Sequence, residues 1–169
     1  MSKPVRQMIE GKPALVVIDA HKTPSVQLSR LIEAARRQDV PIIFAVNPSA
    51  DATTVALAAG PNEYVIRPRR LSVFFGTELP ILLRELGAHT VILAGGETNT
   101  AVHYSFLDAH QYDYFCRVVE DCVLGSSPRK HEAALQAMEY MQTGARRWCD
   151  EVILALGGVA AAVKRTAIP

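Results

Sequence analysis

Two carboxylates and two histidines stand at or shortly after the ends of apolar runs in the sequence. Asp19 directly follows one run and His21 comes two residues later, whereas Glu97 follows a second run and His103 lies six residues beyond it. If Asp19 and Glu97 share a pocket, they can act as an acid–base pair that activates water. Asp19, His21 and Glu97 could alternatively hold a divalent ion. These residues are the first candidates for a catalytic site, with Asp19, Glu97 and His103 in catalytic roles.

Each candidate also has a structural interpretation that involves no chemistry. Glu97 could cap the helix that follows it, or it could pair with a nearby arginine. His21 could be an ordinary loop residue, and His103 could lie on a helix face or at an interface. The sequence alone leaves these interpretations open.

The residues around Glu97 predict a strand, a tight turn and the start of a helix. The apolar run Val91–Ala94 meets two glycines, and Thr98-Asn99 then leads into apolar residues at helical spacing. In an open parallel sheet, ligands bind where strands end and helices begin. The free N–H groups of a helix start suit an anion or a developing oxyanion. This turn is therefore the predicted position of the active site.

The elements that must position the turn form an alternating pattern. Apolar runs without polar alternation indicate strands buried on both faces, and helical patterns separate them. Such a chain predicts right-handed crossovers and a three-layer α/β/α fold, Rossmann-like, with a mainly parallel sheet of five or six strands. The predicted strands are Pro13–Ile18, Pro41–Val46, Glu63–Ile66, Val91–Ala94 and Tyr114–Val119.

The boundaries between these elements follow from capping residues. Thr23-Pro24 predicts the start of the first helix, and Thr77 predicts the start of the helix that runs to Gly87. The segment 49–62 is expected to be a short helix or a loop. Val152–Leu156 predicts either a sixth strand or a terminal helix. We expect one domain over residues 1–169, with a core at about 13–142 and a C-terminal extension at 143–169.

Composition excludes several classes of partner. The chain has 18 basic and 17 acidic residues among 169, so its net charge of +1 gives no electrostatic case for a nucleic-acid or anionic-membrane partner. No apolar run approaches the roughly 18 residues of a membrane span, and the N-terminus lacks a signal-peptide pattern. The three cysteines have neither disulfide density nor metal-ligand spacing. We expect a cytoplasmic protein without a metal or other cofactor.

Several blocks of the sequence, in order, resemble the isochorismatase-like superfamily, also called the cysteine hydrolases. They comprise a strand that ends in an aspartate, a Ser-x-Phe-x-Gly-Thr-x-Leu segment, a Gly-x-x-Thr-Asn turn, an Asp-Ala pair and a later strand that ends in two acids. The corresponding residues are Ala14–Asp19, Ser72–Leu79, Gly95–Asn99, Asp108-Ala109 and Val118–Asp121, with Ser126 beyond. The resemblance implies the same α/β/α fold and a hydrolase active site.

The resemblance also implies an unusual catalytic set. Asp19 matches the family's aspartate, but the position of the lysine, four residues before Ser72, falls on Pro68. The position of the nucleophilic cysteine, three residues after Thr98, falls on Ala101. An alanine cannot attack a carbonyl carbon, so the chain is not expected to be a cysteine-dependent amidase. Members that bind a metal carry an Asp-x-His pair after the second strand, and no histidine occurs in residues 47–51.

Two functions remain open at this point. The first is hydrolysis of a small amide, imide or enol ether by water that Asp19 and Glu97 activate. The second is a catalytically inactive pseudoenzyme that binds a small carboxylate or a partner protein. The resemblance implies a homodimer or homotetramer. Besides the catalytic candidates, the residues expected to contact the small-molecule ligand are His21, Arg67, Arg69, Phe74, Gly96, Thr98 and Ala101.

Overall fold

The computed structural model describes residues 8–48, 60 and 62–166 of the chain. The described part of the chain contains six strands and five α-helices. The strands are β1 (Lys12–Ile18), β2 (Ile42–Ala45), β3 (Glu63–Ile66), β4 (Ala88–Gly96), β5 (Phe115–Leu124) and β6 (Arg146–Arg147). The helices are α1 (Val26–Arg37), α2 (Leu79–Glu85), α3 (His103–Gln111), α4 (Pro128–Met141) and α5 (Cys149–Thr166).

All six strands pair in parallel in one sheet, in the order β3-β2-β1-β4-β5-β6. The sheet order reverses next to β1, so β1 and β4 lie together at its centre. Ile18 is in register with Gly95, which brings the carboxyl ends of these two strands side by side. The predicted α/β class with a parallel sheet is therefore confirmed.

The sheet has a hydrophobic core on each face. Along β1, Val16 and Ile18 belong to one core, whereas Leu15 and Val17 belong to the other, because successive side chains of a strand point to opposite faces. Helices α2, α3 and α4 cover the first face, and α1 and α5 cover the second. Val152 of α5 is 1% exposed. The sheet is therefore the middle layer of a three-layer fold.

Several element boundaries differ from those predicted. Helix α1 begins after Ser25, whose hydroxyl accepts a hydrogen bond of 3.0 Å from the N–H of Leu28, so the predicted Thr23-Pro24 start was wrong by two residues. Val152–Leu156 lies in a helix, and the sixth strand is the short β6 before it. The predicted helix or loop at 49–62 lies mostly outside the described residues.

One strand contains a charge that hydropathy does not anticipate. Arg117 of β5 is 1% exposed, and its guanidinium donates to the carbonyl oxygens of Met8 and Cys116 at 2.8 and 2.7 Å. Burial lowers the pKa of Arg117 to about 10, so the side chain stays protonated at pH 7. These bonds to backbone carbonyls satisfy the buried charge.

The described part of the chain contains no helix that is both long enough and apolar enough to cross a membrane.

Candidate active site

The carboxyl end of β1 presents Asp19 in a fixed orientation. Its backbone adopts a left-handed conformation with φ 42°, and its N–H donates to the carbonyl oxygen of Ala45 at 2.8 Å. The carboxylate oxygen Oδ1 accepts a hydrogen bond of 2.8 Å from the backbone N–H of Asn47. Asp19 is 8% exposed. The ends of β1 and β2 thus hold one carboxylate at the edge of the sheet.

The end of β4 approaches β1 so closely that it requires glycine. Gly95 has φ 100°, and a Cβ at this position would lie within 2.8 Å of the carbonyl carbon of Ile18. A Cβ on Gly96 would lie 2.6 Å from the hydroxyl oxygen of Thr23. The peptide bond between Gly96 and Glu97 is cis. The backbone then enters a π-helical turn, Thr98–Val102, that continues into α3.

A cavity of about 160 Å³ opens between these strand ends. It contains both candidate carboxylates, Asp19 and Glu97, together with backbone and apolar groups of four chain segments. We call it the inner cavity. Its lining residues are Ile18, Asp19, Ala45, Asn47, Pro68, Arg70, Leu71, Val73, Gly96, Glu97, Thr100 and Ala101. The structure therefore brings together the two carboxylates that the sequence placed more than seventy residues apart.

Glu97 has neither of the structural roles considered from the sequence. It precedes the π-helical turn, but its side chain makes no capping hydrogen bond. Among the described residues, its carboxylate accepts only a long bond of 3.4 Å, from the hydroxyl of Thr100. Within the described residues no arginine forms an ion pair with it. The acidic group is consequently available to a ligand in the inner cavity.

Two of the other predicted ligand-binding residues, Gly96 and Ala101, line the inner cavity. His21 and Arg67 are exposed and do not line it. His103 begins α3 and is half-buried outside the lining. Burial lowers the pKa of His103, so its imidazole is neutral at pH 7. Neither histidine therefore lines the inner cavity with the two carboxylates.

Arg69, Phe74 and Thr98 also lie outside the inner cavity. Arg69 lines a neighbouring cavity, described below. Phe74 is 3% exposed and stacks on Tyr112 with ring centroids 5.8 Å apart. Thr98 is fully buried and shares a hydrogen bond of 2.9 Å with Nδ1 of His131. Phe74 and Thr98 therefore pack within the fold and do not line the inner cavity.

The turn after β4 is tied to the loop between β5 and α4. In addition to the bond between Thr98 and His131, the amide oxygen of Asn99 accepts hydrogen bonds from the N–H of Ser126 at 2.9 Å and from its hydroxyl at 3.2 Å. These contacts join elements that are distant in sequence. His131 was not a candidate in the sequence because the residues around it form no catalytic or metal-binding pattern.

Substitution of Thr98 by valine is expected to lower the free energy of unfolding by about 1–2 kcal/mol, because it leaves the His131 nitrogen without its buried partner. Urea denaturation of the purified variant measures the change. Thr143→Val, at an exposed position after α4, is the matched control and is expected to be neutral. Equal stability of the two variants would contradict this role for Thr98.

A second bracing contact holds the segment that leads to α2. The hydroxyl of Ser72 donates to the carboxylate of Asp108 at 2.5 Å, and the hydroxyl of Ser105 accepts a bond of 3.0 Å from the N–H of Val73. Ser105 in turn donates to the carbonyl oxygen of Ala101. Segment 71–77 is therefore fastened to α3, although it has no regular secondary structure.

Arg70 and Asn47 are among the lining residues that the sequence analysis did not single out. Arg70 belongs to a cluster of three arginines around Pro68, and only the path of the chain after β3 shows which of them faces the inner cavity. Asn47 contributes a backbone N–H, which carries no sequence signal. Pro68, which lies between the arginines, was the one feature of the sequence that indicated an irregular chain path here, because proline breaks regular structure.

All three cysteines are buried, and none lines the inner cavity. Burial raises the pKa of Cys116 to about 12, which keeps it a thiol. A hydrogen bond between Cys122 and Cys149 raises the pKa of Cys122 and lowers the pKa of Cys149. These groups pack within the fold, away from the two carboxylates.

Within the described residues, no group of three or more His, Cys, Asp or Glu side chains is arranged to hold a metal ion. Asp19, His21 and Glu97 therefore do not form such a group. Position 47, where the resemblance places the start of a metal-binding pair, contributes its backbone N–H to Asp19. We accordingly derive no step through a metal ion.

Comparison with known proteins places the chain in a family. The model of the isochorismatase domain matches residues 22–147, three quarters of the chain. The chain belongs to the isochorismatase family. The matched span of this isochorismatase domain includes Pro68, Ser72 and the turn at Gly95–Asn99, and it begins three residues after Asp19.

Curated relatives of this isochorismatase-family chain match over about half of its length. Maleamate amidohydrolase of Pseudomonas putida is 38% identical over 89 residues, which are 53% of this chain and 41% of that protein. An uncharacterized isochorismatase family protein of Bacillus subtilis, YwoC, is 31% identical over 92 residues, 54% of this chain and 48% of that protein. The chain thus spans about half the length, or less, of these relatives.

Solved structures share the fold over most of the chain. An isochorismatase-like hydrolase from Alkaliphilus metalliredigens superposes with a TM-score of 0.74 at 23% identity, covering 86% of this chain and 99% of that one. Nicotinamidase PncA from Bacillus subtilis superposes with a TM-score of 0.70 at 20% identity, covering 82% of this chain and 100% of that one. At this level of identity the two structures bear on the isochorismatase-like fold alone.

Proposed function

We propose that the chain is a hydrolase that activates water with Asp19 and Glu97 and acts on a small amide, imide or enol ether. The observation that supports this most strongly is the inner cavity, which contains both carboxylates beside Ala101. Ala101 occupies the position that the family resemblance assigns to the nucleophilic cysteine. Hydrolysis at this position therefore needs water as the nucleophile.

For an amide substrate, one carboxylate of the pair accepts a proton from water, and the water oxygen attacks the carbonyl carbon. The carbonyl oxygen becomes an oxyanion, and N–H groups at the start of the π-helical turn stabilise it. The other carboxyl group, in its protonated form, donates its proton to the leaving nitrogen. The C–N bond then breaks and gives a carboxylic acid and an amine.

The names of relatives favour amides among the three substrate classes. Besides maleamate amidohydrolase, ureidoacrylate amidohydrolase RutB of Pantoea ananatis is 31% identical over 96 residues, 54% of this chain and 38% of that protein. Both names denote cleavage of an amide bond. Amides are therefore the first compounds to test.

The second candidate is a pseudoenzyme that binds a small carboxylate or a partner protein. The presence of alanine and proline, at positions 101 and 68, in the wall of the inner cavity favours it, because neither side chain can transfer a proton or attack a carbonyl group. Retention of Asp19 in a held orientation favours the hydrolase. A direct measurement of turnover distinguishes the two.

Turnover is tested with a panel of small amides, imides and enol ethers, using chromatography or mass spectrometry to detect products. We expect at least one amide to be hydrolysed, with kcat/KM at least about tenfold lower in Glu97→Gln, because the glutamine cannot accept a proton. The matched control is Glu33→Gln, an exposed acid of α1 that makes only a surface pair with Arg37 at 3.7 Å. Saturable binding without turnover would support the pseudoenzyme instead.

A further inference from the structure

A second, larger space adjoins the inner cavity. This outer chamber has a volume of about 470 Å³ and six lining residues: Asn47, Pro48, Pro68, Arg69, Arg70 and Leu71. Four of the six, all except Pro48 and Arg69, also line the inner cavity. The two spaces are therefore parts of one cleft, with Arg70 at the boundary between them.

Charge is distributed unequally along this cleft. Both carboxylates, Asp19 and Glu97, line the inner cavity and not the outer chamber. Arg69 lines the outer chamber alone, and Arg70 lines both spaces. A substrate that entered this cleft would meet positive charge at one end and two acids at the other. An anionic group would consequently be attracted to the outer chamber and repelled from the inner cavity.

Neither arginine of the outer chamber is neutralised by the described part of the protein. Arg70 donates only to the carbonyl oxygen of Arg69, at 3.5 Å, and no described carboxylate lies within ion-pair distance of either guanidinium. Elsewhere in the described structure many arginines pair with a carboxylate. These are Arg30, Arg36, Arg37, Arg146 and Arg147.

The backbone beneath Arg69 and Arg70 is held at both ends. On one side, the carbonyl oxygen of Ile66, the last residue of β3, accepts a hydrogen bond of 3.0 Å from the N–H of Val46. On the other side, Ser72 is bonded to Asp108 of α3. The two guanidinium groups therefore extend from a positioned backbone, which lowers the entropic cost of holding a ligand.

The size of the inner cavity supports a substrate that extends beyond it. Its 160 Å³ corresponds to about five water molecules at their liquid volume. That space accommodates the reacting amide and the attacking water but little more. Any part of a substrate that extends beyond the inner cavity would lie in the adjoining outer chamber.

We propose that this cleft takes an elongated anionic substrate, whose reacting bond lies between Asp19 and Glu97 and whose carboxylate or phosphate group is bound by Arg69 and Arg70. Guanidinium groups bind both oxyanions through paired hydrogen bonds. The position of the reacting bond rests on the function proposed above, whereas recognition of the anion rests on the outer chamber alone.

The experiment compares matched ligands that differ only in charge. Succinamate is paired with succinamide, glutaramate with glutaramide, and 3-phosphonopropanamide serves as the phosphonate probe. Calorimetry gives each dissociation constant, and product analysis gives turnover separately. We expect the anionic member of a pair to bind at least about tenfold more tightly than the neutral member. Preference for the carboxylate or for the phosphonate identifies which oxyanion the chamber favours.

The arginine variants assign any such preference to the outer chamber. Arg69→Gln together with Arg70→Gln is expected to abolish it, whereas Arg84→Gln, at an exposed position near the end of α2, retains it as the matched control. Thermal unfolding verifies that all three proteins are folded. Equal binding of anionic and neutral ligands, no saturable binding of any anion, or a preference unchanged in the double variant would each overturn the proposal.

The two proposals fail in different ways. Turnover without a charge preference would retain water-mediated hydrolysis and refute the anionic substrate. A charge preference that depends on Arg69 and Arg70, without turnover, would retain the anion site and refute the hydrolase.

Discussion

Replacement of Asp19 by asparagine is expected to lower kcat/KM for the best amide substrate by about 100-fold or more, with little change in thermal stability. Asparagine has the same shape but cannot act as a general acid or base. Its side-chain oxygen can still accept the hydrogen bond from the N–H of Asn47. Asparagine also tolerates the left-handed backbone of position 19, where φ is 42°.

The matched control for this change is Asp39→Asn. Asp39 is likewise an aspartate in a left-handed conformation, with φ 54°, but it is exposed in the turn after α1, away from the inner cavity. Steady-state kinetics and thermal unfolding on both variants separate loss of chemistry from loss of structure. Unchanged kcat/KM in Asp19→Asn would remove Asp19 from the mechanism.

Replacement of Gly95 by alanine is expected to destabilise the protein by about 3 kcal/mol or more. The added methyl group would overlap the backbone of Ile18, because β1 and β4 meet there in register. The backbone also has φ 100°, which alanine adopts only with strain. Since the overlap is with backbone atoms, a side-chain movement cannot relieve it. Urea denaturation measures the change.

Gly76→Ala isolates the steric part of this effect. Gly76 also has a positive φ, 66°, but a Cβ at this position would have no neighbour within 4 Å. Its substitution is expected to lower the free energy of unfolding by about 1–2 kcal/mol, which is the cost of the left-handed conformation alone. If Gly95→Ala and Gly76→Ala lowered the free energy of unfolding equally, the close approach of β4 to β1 would not be the reason that position 95 requires glycine.

The strands of the sheet could be predicted because burial on both faces leaves a simple pattern. Each apolar run, from Pro13–Ile18 to Tyr114–Val119, overlaps a strand of the structure. Val152–Leu156 could not be assigned because a short apolar run suits both a strand and a buried helix. Arg117 shows the limit of hydropathy, because its charge is satisfied by carbonyl groups that no local pattern reveals.

The candidate site was partly predictable for a different reason. Asp19 and Glu97 follow strands that lie side by side, so the rule that strand ends converge was sufficient to bring them together. The same rule did not exclude His21 or His103, because it gives no side-chain direction. The rule also could not predict that Arg70, and not Arg67 or Arg69, lines the inner cavity, since this depends on how the chain turns at Pro68.

The hydrogen bond that fastens Ser72 to Asp108 has a consequence for how ligand specificity changes in such a protein. Fold stability resides in buried positions on either side of the 67–71 segment, whereas residues 67, 69, 70 and 71 are exposed. Substitutions at exposed positions of this kind usually alter stability by no more than about 0.5 kcal/mol. Selection can therefore exchange the charge and size of the outer chamber while the sheet and both carboxylates stay in place. Substitutions in this five-residue segment, whether they arise in evolution or in a library of variants, are therefore a direct way to change which ligands the protein binds.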